Sequence, residues 1–180
     1  KKLLENDIIL IVSGCSAQEL EARDFVSVLT VPDGDTESLL AERQRTSTCT
    51  LDYSHTKAVI LDTTLTQNPE QLDNVLETLL SRPEFAWNLL VFTGDEETLR
   101  RADEKKEKLG LELAAYYKNH TAGEESGELV PVTLLDLWNW RTGSGEELSL
   151  PVLSWQEDNL IPEGVLIIKS PCSFPKRDLQ

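Results

Sequence analysis

The sequence predicts a three-layer α/β fold, in which helices cover both faces of a mostly parallel sheet (flavodoxin-like or receiver-like). Short apolar runs alternate along the chain with segments whose apolar residues recur at helical spacing, and this alternation is typical of strand–helix–strand crossovers. The runs are continuously apolar, which is the pattern of strands buried on both faces. The chain has 180 residues, 39% of them hydrophobic, so it can bury the core of one such domain without a disulfide.

Five strands are predicted in the first part of the chain. Each is a run rich in Val, Ile, Leu or Phe, and Ser-Gly, Pro-Asp-Gly or Thr-Gly marks the end of several of them. The predicted strands are Ile8–Val12, Phe25–Val31, Lys57–Asp62, Leu89–Phe92 and Leu111–Tyr117. The Thr- and Ser-rich segment 46–54 is interpreted as a loop that could contain an edge strand.

Capping residues and apolar stripes predict the helices between these strands. The clearest helix begins at Asn68 as N-cap, with Pro69 at its first position. Its apolar stripe is formed by Leu72, Val75, Leu76, Leu79 and Leu80. Other helices are expected to start at Ser16, at Asp35 or Thr36, and at Asp95, the last being a charged helix that reaches Leu109.

The pattern changes after residue 120. Residues 1–120 are therefore predicted to form the sheet core, and residues 121–180 a C-terminal extension packed on the same domain. Val132–Trp140 fits either a helix or a strand, whereas Leu148–Trp155 and Val165–Ile168 are predicted strands that extend the sheet at an edge or pack across it. The segment from Ser170 to Gln180 is expected to be a loose tail.

The charge balance disfavours several kinds of partner. There are 32 acidic and 17 basic residues, a formal net charge of −15, and such a field repels the phosphates of nucleic acids. A protein partner is more compatible with this charge, and a basic partner would complement it. No apolar run is long enough to span a bilayer, so we expect no membrane partner.

The glycine motifs and the histidine and cysteine content argue against a cofactor or metal site, and the cysteines also indicate the cellular location. The sequence lacks both glycine-rich phosphate-binding patterns, and its two histidines are too few for a three-histidine metal site. The three cysteines are widely separated, which favours a reducing, intracellular location in the cytoplasm or nucleus. The chain contains no Met, even at position 1, so we interpret it as part of a longer protein.

Four polar side chains follow the predicted strands and form a candidate site, called the rim below. Asp62 ends the third predicted strand, Thr93 and Asp95 follow the fourth, and Lys118 follows the fifth. Ligands of open α/β sheets bind beyond the carboxyl ends of the strands, so these groups are expected to converge. Asp62 has an alternative role, which is to close a turn through nearby backbone N–H groups.

The order and separation of Asp62, Thr93 and Lys118 resemble those of a response-regulator receiver domain, over roughly residues 7–119. In that family the aspartate accepts phosphate, and the hydroxyl and the lysine respond to the phosphorylated state. Receivers also carry paired acidic residues after the first strand to hold Mg²⁺, but residues 13–15 here are Ser-Gly-Cys. The resemblance therefore implies a degenerate receiver that binds partners without accepting phosphate.

The favoured function is a non-catalytic protein-interaction or scaffolding module of a larger protein, with no catalytic residues. Trp138 and Trp140 are the interaction candidates, because tryptophan is enriched at protein interfaces. The alternative is a phospho-switch or enzyme that uses Asp62, Thr93 and Lys118, and a third possibility is a domain that helps a larger enzyme assemble. The sequence leaves the oligomeric state open.

Overall fold

The computed structural model describes residues 23–26, 28–32, 34–105, 109–120, 130–143 and 147–169. The predicted strand Ile8–Val12, the Ser16 cap and the tail from residue 170 lie outside these ranges. The strands described are β1 Arg23–Phe25, β2 Val28–Val31, β3 Thr50–Asp52, β4 Ala58–Asp62, β5 Leu90–Gly94, β6 Glu147–Gln156 and β7 Asn159–Lys169. The helices described are α1 Thr36–Thr46, α2 Pro69–Ser81, α3 Glu96–Lys105, α4 Leu109–His120 and α5 Leu134–Thr142, with a 3₁₀ turn at Leu65–Gln67.

Five of the described strands form one sheet, in the order β2-β4-β5-β6-β7. The first three neighbour pairs are parallel, and β6–β7 is antiparallel. The predicted α/β class with a mostly parallel sheet is therefore confirmed. The segment Phe25–Val31, predicted as one strand, divides into the end of β1 and all of β2, and β1 pairs in parallel with the short β3.

Strand β4 lies at the centre of the core because all five of its residues are buried. Its alternating side chains serve two apolar clusters, one on each face of the sheet. Val59 and Leu61 pack in the cluster that contains residues of α1, α2 and α5, while Ala58 and Ile60 pack in the cluster that contains residues of α3 and α4. The sheet is thus covered on both faces, as the three-layer prediction requires.

The predicted helix starts agree with the structure where local capping signals are strong. The Asp35 side chain accepts a hydrogen bond from Ser38 N at 3.0 Å, and the Asn68 side chain caps α2 with Pro69 in its first turn. The ambiguous segment 132–140 contains a helix, because Thr133 and Asp136 form a reciprocal capping box at the start of α5.

The predicted fifth strand, Leu111–Tyr117, is wrong, because this segment lies within helix α4. Leu109, Leu113 and Tyr117 are buried at four-residue spacing, whereas Leu111 is 56% exposed. The place beside β5 that a fifth strand was expected to fill belongs to β6, which pairs with it in parallel at Thr93–Val152. The charged helix predicted from Asp95 to Leu109 is described over Glu96–Lys105, and residues 106–108 lie outside the described ranges.

The C-terminal strands β6 and β7 extend the sheet as a long antiparallel hairpin. A two-residue turn joins them, and Glu157 in that turn adopts a positive φ of 56°. The register shifts between Val152 and Leu153, where a β-bulge bends the ladder. Both strands are longer than predicted, because the pairing continues through polar and glycine positions that interrupt the apolar pattern, apart from this shift in register.

Candidate functional site

The structure places Asp62 and Thr93 at the carboxyl ends of the neighbouring strands β4 and β5. Thr93 lies opposite Leu61 in the register, and Asp62 lies opposite Gly94. The buried Thr93 hydroxyl donates to Leu61 O at 3.1 Å, across the two strands. The convergence expected from the sequence is therefore present for these two residues.

Asp62 closes the turn that follows β4. Its Oδ1 accepts hydrogen bonds from Thr64 N at 2.7 Å and from Thr64 Oγ1 at 2.6 Å. The next residue ties the turn to β5, because Thr63 N and Thr63 Oγ1 donate to Gly94 O at 2.9 and 3.0 Å. This geometry is the alternative role considered for Asp62, in which the carboxylate stabilises local backbone.

The glycine at the end of β5 is required by close packing against the next helix. A Cβ at Gly94 would lie 2.9 Å from Thr98 Cγ2. This close approach places the first turn of α3 against the end of β5.

Asp95 caps the N-terminus of α3. Its Oδ1 accepts a hydrogen bond from Thr98 N at 2.8 Å. The hydrogen bonds from Thr98 hold the pKa of the Asp95 carboxyl below its usual value, because they stabilise the ionised form. Asp95 thus has a structural role as a helix cap, which satisfies a backbone N–H in the first turn.

We expect Asp95→Ala to lower the free energy of unfolding by about 0.5–2 kcal/mol, and Asp95→Asn to cost less, because asparagine is also a good cap. The lowered pKa means that the charged carboxylate stabilises the fold above the pKa of the unfolded chain, near 3.9, and that this contribution is lost as the pH falls. Urea unfolding should therefore show a gap between wild type and Asp95→Asn that shrinks from about pH 7 to about pH 3. A gap independent of pH would contradict this role.

Lys118 lies near the end of helix α4 and is exposed. It does not follow a strand, because the segment before it is helical. The structure thus brings Asp62, Thr93 and Asp95 to the ends of β4 and β5, but it does not place Lys118 at the end of a neighbouring strand. Within the described ranges, no three His, Cys, Asp or Glu side chains are grouped so that they could hold a metal ion.

The two tryptophans proposed as interaction residues have different environments. Trp140 is 7% exposed and packs in the core with α2, whereas Trp138 is half-buried. Trp87, which the sequence reasoning did not select, is 50% exposed in the loop before β5. Its position after Pro83, outside any apolar stripe, is the signal that could have identified it as a surface residue.

Leu135 is joined to Trp87 through the backbone, and its side chain is also exposed. Leu135 N donates to Trp87 O at 3.0 Å, and the Leu135 side chain is 39% exposed. This backbone bond connects the loop to the first turn of α5. None of the helices described is long and apolar enough to cross a bilayer.

A comparison with known protein families identifies the family of this chain. Residues 10–154, more than half of its length, match the family model described as the spore germination protein N-terminal domain. No curated protein and no solved structure matches the chain. The identification as a receiver domain is wrong: the matching family is a different one, and an acid, a hydroxyl and a lysine are too common to identify a family. The chain belongs to the family of spore germination protein N-terminal domains.

Proposed function

We propose that this domain is a non-catalytic protein-interaction module of a spore germination protein. The observation that carries the proposal is the exposed apolar surface formed by Trp87 and Leu135, with Trp138 three residues further along α5. We call these three residues the tryptophan surface. The family match supports the biological setting, since its description names a domain of a germination protein.

The rim side chains are used within the fold, which supports a role without chemistry. Asp62 accepts two hydrogen bonds from Thr64, the Thr93 hydroxyl donates to a main-chain carbonyl, and Asp95 caps a helix. A catalytic carboxylate has to reach a substrate proton, and a nucleophile has to reach a substrate atom. These three groups instead stabilise the turns that end β4 and β5.

The tryptophan surface has the properties of an interface centre. Tryptophan is enriched among the residues that contribute most to binding energy, particularly when neighbouring apolar groups exclude water around it. Leu135 supplies such a neighbour, and the hydrogen bond from Leu135 N to Trp87 O positions the loop on the helix. A preordered surface loses less conformational entropy when a partner binds.

Charge indicates the kind of partner. The chain carries a formal net charge of −15, and acidic residues lie next to the apolar surface in sequence, namely Glu84 in the Trp87 loop and Asp136 after Leu135. We therefore propose a protein partner whose contact surface combines apolar side chains with Lys and Arg. Electrostatic complementarity of this kind accelerates encounter and makes association sensitive to salt.

The test is photocrosslinking from position 87 of the full-length protein in spores. A benzoylphenylalanine in place of Trp87 should form a covalent adduct with one partner protein, and the same group at Glu97 should not, because Glu97 lies on α3 at the other face of the sheet. The adducts are identified by mass spectrometry. No adduct at position 87, or equal adducts at both positions, would refute the proposed surface.

We expect the double variant Trp87→Ser, Leu135→Ser to weaken the complex by at least about 2 kcal/mol, roughly a thirtyfold loss of affinity. Both side chains are substantially exposed, so the fold should be retained, as checked by circular dichroism and thermal unfolding. The control variant Leu111→Ser removes a similarly exposed leucine from α4 and should leave affinity and germination rate unchanged. Normal germination and affinity in the double variant would contradict the proposal.

A further inference from the structure

A small cavity lies where β7 ends, between the first turn of α2 and the last turn of α5. Its volume is about 200 Å³, below the ~300–1,000 Å³ typical of pockets for drug-sized ligands. Leu72 and Ile168 line it with apolar side chains, and Trp140, Arg141 and Lys169 also contribute to the wall. The cavity involves the last turn of α5, whereas the tryptophan surface includes Leu135 in its first turn.

The two cationic side chains in the cavity wall, Arg141 and Lys169, differ in whether a carboxylate neutralises their charge. The Arg141 guanidinium forms two hydrogen bonds with the Asp73 carboxylate, so its charge is neutralised. Among the described residues, the Lys169 ammonium has no carboxylate at ion-pair distance, although Glu147 lies opposite Lys169 in the β6–β7 register. Lys169 is exposed and can therefore attract an anion to the mouth of the cavity.

Trp140 adds a hydrogen-bond donor to the same region. Its side chain is buried, and its Nε1 has no acceptor within the part of the chain that the structure describes. An unpaired buried donor costs roughly 1–3 kcal/mol, so the fold retains an unfavourable group beside the cavity. Because Nε1 is buried, a ligand in the cavity would contact the indole ring rather than this N–H group.

We propose that this cavity binds a small organic carboxylate with an apolar body. The carboxylate would pair with Lys169, and the apolar body would lie against Leu72, Ile168 and the Trp140 ring. In small-molecule sites, a few polar groups usually orient a mostly apolar ligand. This cavity has that composition, with one lysine to pair with the carboxylate and apolar side chains to contact the rest of the ligand. The proposed contacts use none of the three residues of the tryptophan surface.

The test uses sodium isovalerate as the probe and isovaleramide as its uncharged isostere. Titration of the ¹⁵N-labelled chain with isovalerate should give saturable shifts of the Leu72 and Ile168 amides and of the Trp140 indole N–H. Isovaleramide should bind at least about tenfold more weakly, since it lacks the charge that Lys169 attracts. Equal binding of the two probes, or the absence of saturable shifts, would overturn the proposal.

Point variants test the contribution of the Lys169 charge to binding without changing the fold. Lys169→Gln should weaken isovalerate binding about tenfold, Glu147→Gln should strengthen it by removing a competing anion, and Lys118→Gln on α4 should leave it unchanged. All three positions are exposed, so these variants are expected to fold normally. Binding that is insensitive to Lys169→Gln would refute the assigned role of Lys169.

Discussion

Leu113→Ala is expected to lower the free energy of unfolding by about 2–5 kcal/mol, whereas Leu111→Ala is expected to change it by less than about 0.5 kcal/mol. In helix α4 these two leucines point in different directions, since Leu113 is fully buried and Leu111 is 56% exposed. The truncated Leu113 would leave a cavity beside Leu109 and Tyr117 in the apolar cluster under α3 and α4.

The pair of variants tests the correction made to the predicted fifth strand. In a strand, residues two apart share one face, so both leucines would be buried together and both substitutions would be costly. In the observed helix the cost is confined to Leu113. The measurement is urea unfolding followed by far-ultraviolet circular dichroism, and similar losses for the two variants would contradict the helical assignment.

Phe92→Ala is expected to lower the free energy of unfolding by about 3–5 kcal/mol. Phe92 lies on β5 near the middle of the sheet, is 1% exposed, and stacks on Tyr117 with ring centroids 5.9 Å apart. Its removal would take away the apolar contact that joins the sheet to α4, and the stacked ring would lose its partner.

Thermal unfolding provides the measurement. For a chain of this size each 1 kcal/mol corresponds to roughly 2–4 °C, so Phe92→Ala should lower the Tm by about 6–20 °C. The control Phe92→Leu keeps most of the buried volume and should cost less than about 1.5 kcal/mol. Val165→Ala on β7 should cost little, because Val165 is 39% exposed. A Phe92→Ala shift no larger than that of Val165→Ala would show that Phe92 does not support the core.

The parts of the fold that the sequence predicts well are those with local signals. The run Ala58–Leu61 is apolar at every position, which is the pattern typical of a short strand buried on both faces. The start of α2 combines an asparagine cap with a proline in the first turn, two signals that depend on the same few residues. Neither element requires knowledge of distant contacts.

The error at α4 has a physical cause. Leucines two residues apart suggested a strand, but the same segment also carries Leu109, Leu113 and Tyr117 at helical spacing. Tertiary structure decides between the strand period and the helix period. The position beside β5 is occupied by β6, which comes more than 50 residues later in the chain, so the segment is free to form a helix. The prediction for Lys118 depended on that strand and was wrong for the same reason.

The rim was only partly predictable. Strand ends place Asp62 and Thr93 together, and this follows from the parallel register alone. Their hydrogen bonds to Thr64 and Leu61 depend on turn geometry that composition does not specify. The exposure of Trp87 likewise depends on how the loop before β5 meets α5, and the sequence does not specify this contact. Trp138 and Trp140 were selected instead because tryptophans cluster in the C-terminal third of the chain.

The hairpin of β6 and β7 has a consequence for the order of folding. Its strands are joined by two residues, so their pairing closes only a short loop and can form within roughly 1–10 μs. The parallel pairs β2–β4 and β4–β5 bring together segments about 30 residues apart, and such nonlocal pairing is slow. An isolated hairpin is only marginally stable. These two strands are thus suited to pair early, and they become stable when β5 provides the edge that receives them.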